Sequence, residues 1–306
     1  MQNLISDPVS MTSCRQEAYL LRLRRQFPFV YVKTLTRTAF GRSVYALQFG
    51  SGSRKLLITA GHHANETITS DAVWQWLFTF CNALMDGEAV CGAEARELYH
   101  NAMVYLVPLV NPDGADLAAG VCAPGSPEYR AAADIAAQYP DIPFPSGWKA
   151  NLRGVDLNLN YPAEWEQARK NKFVLGFTGP APRDYVGSSP LDQPESAGMA
   201  GLTRLVDPRL TLSYHAQGEV IYWKFLDLMP VGAEEIGQRF AEVSGYALED
   251  TPFASGFAGY KDWFILTYDR PGYTIEVGLG ENPLPLSQFD EIYRKNLGIL
   301  TLGLTL

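Results

Sequence analysis

The sequence predicts an α/β fold, a mixed and twisted central sheet covered by helices on both faces. Three observations carry this reading. Short apolar runs bounded by glycine, proline or asparagine recur along the chain, as buried strands do. Between them lie stretches with apolar residues at helical spacing, and strands that alternate with helices build parallel or mixed sheets. The 306 residues, 47% hydrophobic and 19% charged, supply ample core without repeats, low-complexity tracts or linkers. One domain over residues 1–306 is therefore expected, with residues 1–50 as its N-terminal helix and edge strands.

Taken in order, Thr12 to Gln26 carries leucines at helical spacing, an arginine-rich outer face, and Ser13 and Gln16 placed for a capping box. Phe29–Lys33 and Ser43–Gly50 read as two strands about the turn Phe40-Gly41-Arg42. Leu56–Thr59 is a buried strand that turns at Gly61 into a long helix through Trp74, Trp76, Leu77 and Phe80. Gly92–His100 suggests a helix and Ala102–Val110 a strand, ending in the turn residues Asn111-Pro112-Asp113-Gly114. From Gly114 to Pro190 the chain is irregular apart from a helical piece at Tyr129–Gln138, and so long an irregular stretch is more often functional than idle. Regular elements resume with a helix at Glu195–Leu205, strands at Leu210–His215 and Glu219–Phe225, and a helix at Ala233–Gly245. A glycine and aromatic loop at Ser255–Trp263 precedes the strand Tyr273–Val277, and Leu286–Leu300 closes the chain as a helix.

Composition excludes several classes of function. A formal net charge of -8 argues against a general affinity for nucleic acid or anionic membranes. Met1 to Pro8 has no basic region followed by an apolar core, and no uninterrupted apolar run reaches the roughly 18 residues that span a bilayer. No membrane partner and a cytoplasmic location are expected. Cys14, Cys81, Cys91 and Cys122 form no Cys-x-x-Cys pair, so they read as free thiols rather than as a zinc or disulfide framework.

The chemistry gathers at strand ends. His63 and Glu66 lie three residues apart at the strand-to-helix corner after Leu56–Thr59, where open α/β sheets place their sites. Imidazole and carboxylate are ligands of catalytic zinc, which keeps a fourth position for water. Alone the pair is a weak signal, more often met at a capped helix start with a solvated carboxylate. His215 ends another strand, and Glu276 sits within the apolar strand Gly272-Tyr273-Thr274-Ile275-Glu276-Val277, where an unpaired carboxylate is costly. A salt bridge would satisfy Glu276; a general base with a raised pKa is the functional alternative.

His63-x-x-Glu66, Asn111-Pro112-Asp113-Gly114, Gly154-Val155-Asp156-Leu157-Asn158, His215 and Thr274-Ile275-Glu276, in this order, resemble the signature of the zinc metallocarboxypeptidase family over nearly the whole chain. The resemblance implies a carboxypeptidase-like fold and one Zn2+ ion held by His63, Glu66 and His215. It makes Glu276 the general base and Asn158 a substrate ligand, with His62 a neighbour. The family's exopeptidases usually read Asp-x-Asn-Arg-Asn, whose Arg grips the terminal carboxylate; here Leu159 stands in that place. Losing that bidentate contact should lose exopeptidase preference. For the cation that stabilises the oxyanion, Lys149 is the first candidate and Arg153 the alternative.

Trp148 to Asn158, Tyr161-Pro162-Ala163-Glu164-Trp165, His215 to Trp223, Gly259 to Phe264 and Asn282 to Pro285 resemble the γ-D-glutamyl-L-diamino acid endopeptidase branch. That implies a small cell-wall peptide, a muropeptide, as the substrate, cut between γ-D-glutamate and meso-diaminopimelate or lysine. Lys261, just before the Asp262-Trp263 pair, then falls in the specificity pocket, with Tyr260 and Gln217 also assigned to substrate. The exopeptidases' mobile tyrosine has no clear match, Phe253 lying nearest. Relatives of this branch often carry wall-binding modules, and none is read in this chain. Two alternatives stay open: a carboxypeptidase or deacylase on other peptides, and a peptide-binding protein without turnover.

Overall fold

The computed structural model describes residues 10–306; Met1 to Pro8, read above as lacking a leader, lies outside the described residues. In chain order the first elements are α1 (Ser13–Gln26), β1 (Tyr31–Arg37), β2 (Ser43–Gly50), β3 (Arg54–Ala60) and α2 (Ile68–Asp86). A two-stranded hairpin follows, β4 (Ala89–Val90) and β5 (Ala93–Glu94), then α3 (Ala95–Asn101), β6 (Ala102–Val107), α4 (Pro112–Ala118) and α5 (Pro127–Ala136). The second half runs through α6 (Trp165–Val174), α7 (Pro194–Val206), β7 (Leu210–Ala216), β8 (Val220–Tyr222) and α8 (Ala233–Ser244). It ends with β9 (Ala247–Glu249), α9 (Tyr260–Tyr268), β10 (Gly272–Val277) and α10 (Phe289–Leu302).

Eight strands form one mixed sheet in the order β1-β2-β6-β3-β7-β10-β8-β9, as the alternation of elements predicts. β3 lies parallel to both β6 and β7, and β7 is parallel to β10. Side chains alternate across these strands. Leu56, Ile58 and Ala60 pack under α2 and α10, while Leu57 faces the opposite layer with residues of α7 and α9. The chain leaves β3 for β6 on one side and returns to β7 on the other. That reversal opens a crevice at the carboxyl ends of β3 and β7, the position where open sheets bind ligands.

Several local expectations change. Thr12, not Ser13, caps α1 by accepting from the Arg15 amide, and Ser13 instead donates to Asp116. Cys91 and Gly92 are the positive-φ turn of the β4–β5 hairpin, which shortens the expected Gly92–His100 helix to Ala95–Asn101. Asn111 to Gly114 is no bare turn: Asn111 caps α4, with Pro112 at its first position, where a missing N–H costs nothing. The irregular stretch also holds α6. The Ser255–Trp263 loop ends early because Gly259 starts α9, the Asp262 carboxylate accepting the Gly259 amide. No helix among the described residues is long and apolar enough to cross a membrane.

Asp71, on α2, is 2% exposed. Burial pushes its carboxyl up to about 7, with Arg15 at 3.9 Å offsetting part of the penalty. Unfolded, it titrates near about 3.9. Between these values the folded chain holds a proton that the unfolded chain has released, so this group's contribution falls as pH rises from 4 to 7. Urea unfolding of Asp71→Asn should therefore gain stability relative to the parent as pH rises through that window, by up to about 1.4 kcal/mol per unit. Parallel pH curves for the two proteins would refute the assignment.

Candidate active site

The crevice is built from strand ends held at one height. β3 closes at Ala60, opposite Tyr214 of β7, so the next residues of both strands meet. Gly61 makes the turn at φ +66, where a β-carbon would lie 2.8 Å from Leu109 and Ser70, so only glycine fits. The Asn111 side chain then ties this corner to the loop beyond it, donating to the carbonyls of His62 and Ala150 at 3.3 and 3.0 Å. The Ala64 amide donates to the Lys149 carbonyl at 2.9 Å. In β10, Glu276 is the register partner of His215, so both side chains emerge side by side on one face.

These constraints bring His63, Glu66 and His215 together, all buried, with one donor atom from each within 4.8 Å of the others. His63 Nδ1 lies 2.9 Å from Glu66 Oε1, and His215 Nδ1 lies 3.3 Å from Oε2. The two Nδ1 atoms lie 3.2 Å apart, both turned toward the Glu66 carboxylate. The outer nitrogens are held as those of metal-binding histidines usually are: His63 Nε2 by Asp156 at 3.1 Å, His215 Nε2 by the Ser213 hydroxyl at 3.3 Å. Two imidazoles and a carboxylate fit zinc. His62 stays out of the cluster, its ring stacked behind His215 at 5.6 Å and its Nε2 3.2 Å from the Tyr161 hydroxyl.

The electrostatics are those of a crowded, dry site. Burial alone would raise Glu66, yet the charges of His63 and Lys149 hold it well below the usual carboxylate range. Burial would lower His63, but Glu66 and Asp156 keep it raised. His62 is pushed well down by burial and by the neighbouring imidazoles. Glu276 goes the other way: burial, then the charge of Glu66, push it up to about 8 against the pull of Lys149 and His63.

Two cavities meet at this cluster. One, of about 180 Å³, is lined by His63, Asn158, Leu159 and Lys261; the other, of about 680 Å³, by Asn65, Gln217 and Asn282. Lys149, Arg183, Tyr222, Ser255 and Glu276 line both. Lys149 also pairs with Glu66 Oε1 at 3.0 Å.

Two expected site residues need correction, and a third is placed as expected but heavily paired. Arg153 is exposed and on neither cavity wall, because Gly154 at φ +70 turns the chain away after it. Tyr260 is fully buried: its hydroxyl bonds to Thr203 at 2.8 Å, so its side chain serves the core between α7 and α9. Lys261 does line the smaller cavity, but its ammonium is committed to Asp262 at 2.6 Å, the Lys224 carbonyl at 2.6 Å and Thr251 at 3.2 Å. Phe253, on the exposed Pro252–Ser255 stretch, packs against the buried Phe257 ring. Arg183 and Tyr222 were not singled out from the sequence. Arg183 lies in the irregular stretch without a motif, and Tyr222 reaches the cavity only because β8 pairs with β10, Thr274 opposite Tyr222.

Residues 16–298 match the zinc carboxypeptidase family. The chain is 40% identical over 287 residues to γ-D-glutamyl-L-diamino acid endopeptidase 1 of Lysinibacillus sphaericus, covering 93% of this chain and 70% of that protein. It is 37% identical over 277 residues to the uncharacterized protein YqgT of Bacillus subtilis strain 168, covering 90% and 72%. In fold it is similar to bovine thrombin-activatable fibrinolysis inhibitor, solved in complex with tick carboxypeptidase inhibitor, with a TM-score of 0.71, 17% identity and 97% of each chain covered. By family match, relatives and a His–Glu–His cluster at the crest of the sheet, this chain belongs to the zinc carboxypeptidase family and is a metallopeptidase.

Proposed function

We propose that the protein hydrolyses the bond between γ-D-glutamate and a diamino acid in cell-wall peptides. The observation that carries this is the 40% identity, across 93% of the chain, to an endopeptidase of that name. Leu159 supports it. In the position where exopeptidases of the family hold a carboxylate-gripping arginine, this chain lines the smaller cavity with an apolar side chain that is 7% exposed.

The residues divide the work as follows. His63, Glu66 and His215 would hold zinc, with Asp156 and Ser213 fixing the two rings. When bound, zinc polarises a carbonyl and lowers the pKa of water. Glu276, raised to about 8, takes a proton from the attacking water and returns it to the leaving amine, as an acid poised near neutral does best. Lys149 places a positive charge beside Glu276 and His63, where negative charge grows on the substrate oxygen. Asn158, whose Oδ1 accepts the Tyr260 amide at 3.0 Å, is fixed at the cavity wall to bind substrate, and Gln217 lines the larger cavity beyond.

Two outcomes follow. Purified protein incubated with L-Ala-γ-D-Glu-meso-diaminopimelate should release L-Ala-D-Glu, seen by mass spectrometry, and should stop on zinc chelation and resume on zinc addition. A chelator-resistant activity, or products from another bond only, would sink the substrate reading. Glu276→Gln should keep its zinc by elemental analysis while kcat falls about 10²- to 10⁴-fold. Full activity in that variant would remove Glu276 from the proton transfer.

A further inference from the structure

The lysines and arginine on the cavity walls are not equivalent. Lys149 is paired with Glu66 at 3.0 Å and Lys172 with Asp184 at 2.6 Å, while Lys261 is fully engaged by Asp262, the Lys224 carbonyl and Thr251. Arg183 differs. Its Nε donates to Asp184 Oδ2 at 2.6 Å, and among the described residues its two terminal nitrogens have no partner. The side chain is 46% exposed and lines both cavities, beside Glu276 and Lys149. A guanidinium held by Nε keeps two parallel N–H donors for a carboxylate, a contact a lysine cannot copy.

The same structure that orients the metal ligand orients this guanidinium. Asp184 adopts a left-handed backbone at φ +65, uncommon for an aspartate. In that conformation its amide donates to Asp156 Oδ2 at 3.2 Å, while Asp156 Oδ1 holds His63. Its carboxylate receives Lys172 on one oxygen and Arg183 on the other. Lys172 and Arg183 thus share one carboxylate, and Arg183 is held by its Nε on the wall of both cavities with its terminal nitrogens open.

We infer that Arg183 is a substrate-binding residue that clamps a carboxylate flanking the scissile bond, in place of the charge missing at Leu159. The inference rests on the function proposed above. A γ-linked glutamate keeps its α-carboxylate free on the acyl side of the cut, which an ordinary α-peptide lacks, and the diamino acid brings carboxylates on the other side. Arg183, reaching both cavities, fits the shared chemistry of either.

The test uses the zinc-loaded full chain with three peptides. They are L-Ala-γ-D-Glu-meso-diaminopimelate, the same peptide with the glutamyl α-carboxylate as its primary amide, and the same peptide with the diaminopimelyl carboxylates amidated. The parent should prefer the unmodified peptide over one of the two amides by about 10- to 100-fold in kcat/KM, the scale of a charge-assisted contact. In Arg183→Gln that preference should collapse to within about twofold, chiefly through KM, while Arg183→Lys keeps an intermediate preference as a point charge without the fork. The amide that ceases to matter identifies the carboxylate. Unaltered thermal melting of both variants separates a lost contact from a lost fold. An Arg183→Gln variant that keeps the parent's preference, or loses rate equally on all three peptides, overturns the clamp. A parent that cleaves none of them overturns the functional reading itself.

Discussion

One buried carboxylate governs the crest of the sheet. Glu66 is 1% exposed, and a charge so placed persists only if its lone pairs are met. Its partners come from distant parts of the chain: His63 from the same turn, Lys149 from the loop after α5, His215 and the Ala216 amide from β7, and Asn282 from the loop after β10. Satisfying Glu66 therefore requires β3, β7 and β10 to close in register at one height. The fold and the ligand cluster are assembled by one act. Removing a single partner would leave charge stranded in a dry site, a change that costs several times what an exposed ion pair contributes.

Around that centre the charges are arranged in tiers. Asp156 holds His63 and takes the Asp184 amide; Asp184 in turn holds Lys172 and Arg183. An acidic chain, net -8, still sets Lys149, Lys172, Arg183 and Lys261 on its cleft walls, each anchored by a carboxylate. Whole-chain charge bears on solubility and nonspecific partners, and local pairing decides what enters the cleft.

Much of this was legible in the sequence, for identifiable reasons. Apolar strand runs ending in glycine, histidine or asparagine marked β3, β6, β7 and β10, and the ordered motifs marked the cluster. What escaped depended on context. Tyr260 and Lys261 read as loop residues because Gly259 is a weak helix signal, yet Asp262 caps the helix through the Gly259 amide and turns Tyr260 into the core. Arg153 adjoins the Gly-Val-Asp motif, yet its side chain is exposed and lines neither cavity. Arg183 had no motif at all. Only the left-handed aspartate after it, and the lysine twelve positions before that aspartate, give it a fixed place.

His63, Glu66 and His215, without His62, are placed to hold one metal ion. An anomalous difference map from crystals measured on both sides of the zinc edge tests it most directly. One peak per chain is expected, in contact with the Nδ1 atoms of His63 and His215 and with the Glu66 carboxylate. No peak there after zinc loading, or a peak bonded to His62, would contradict it.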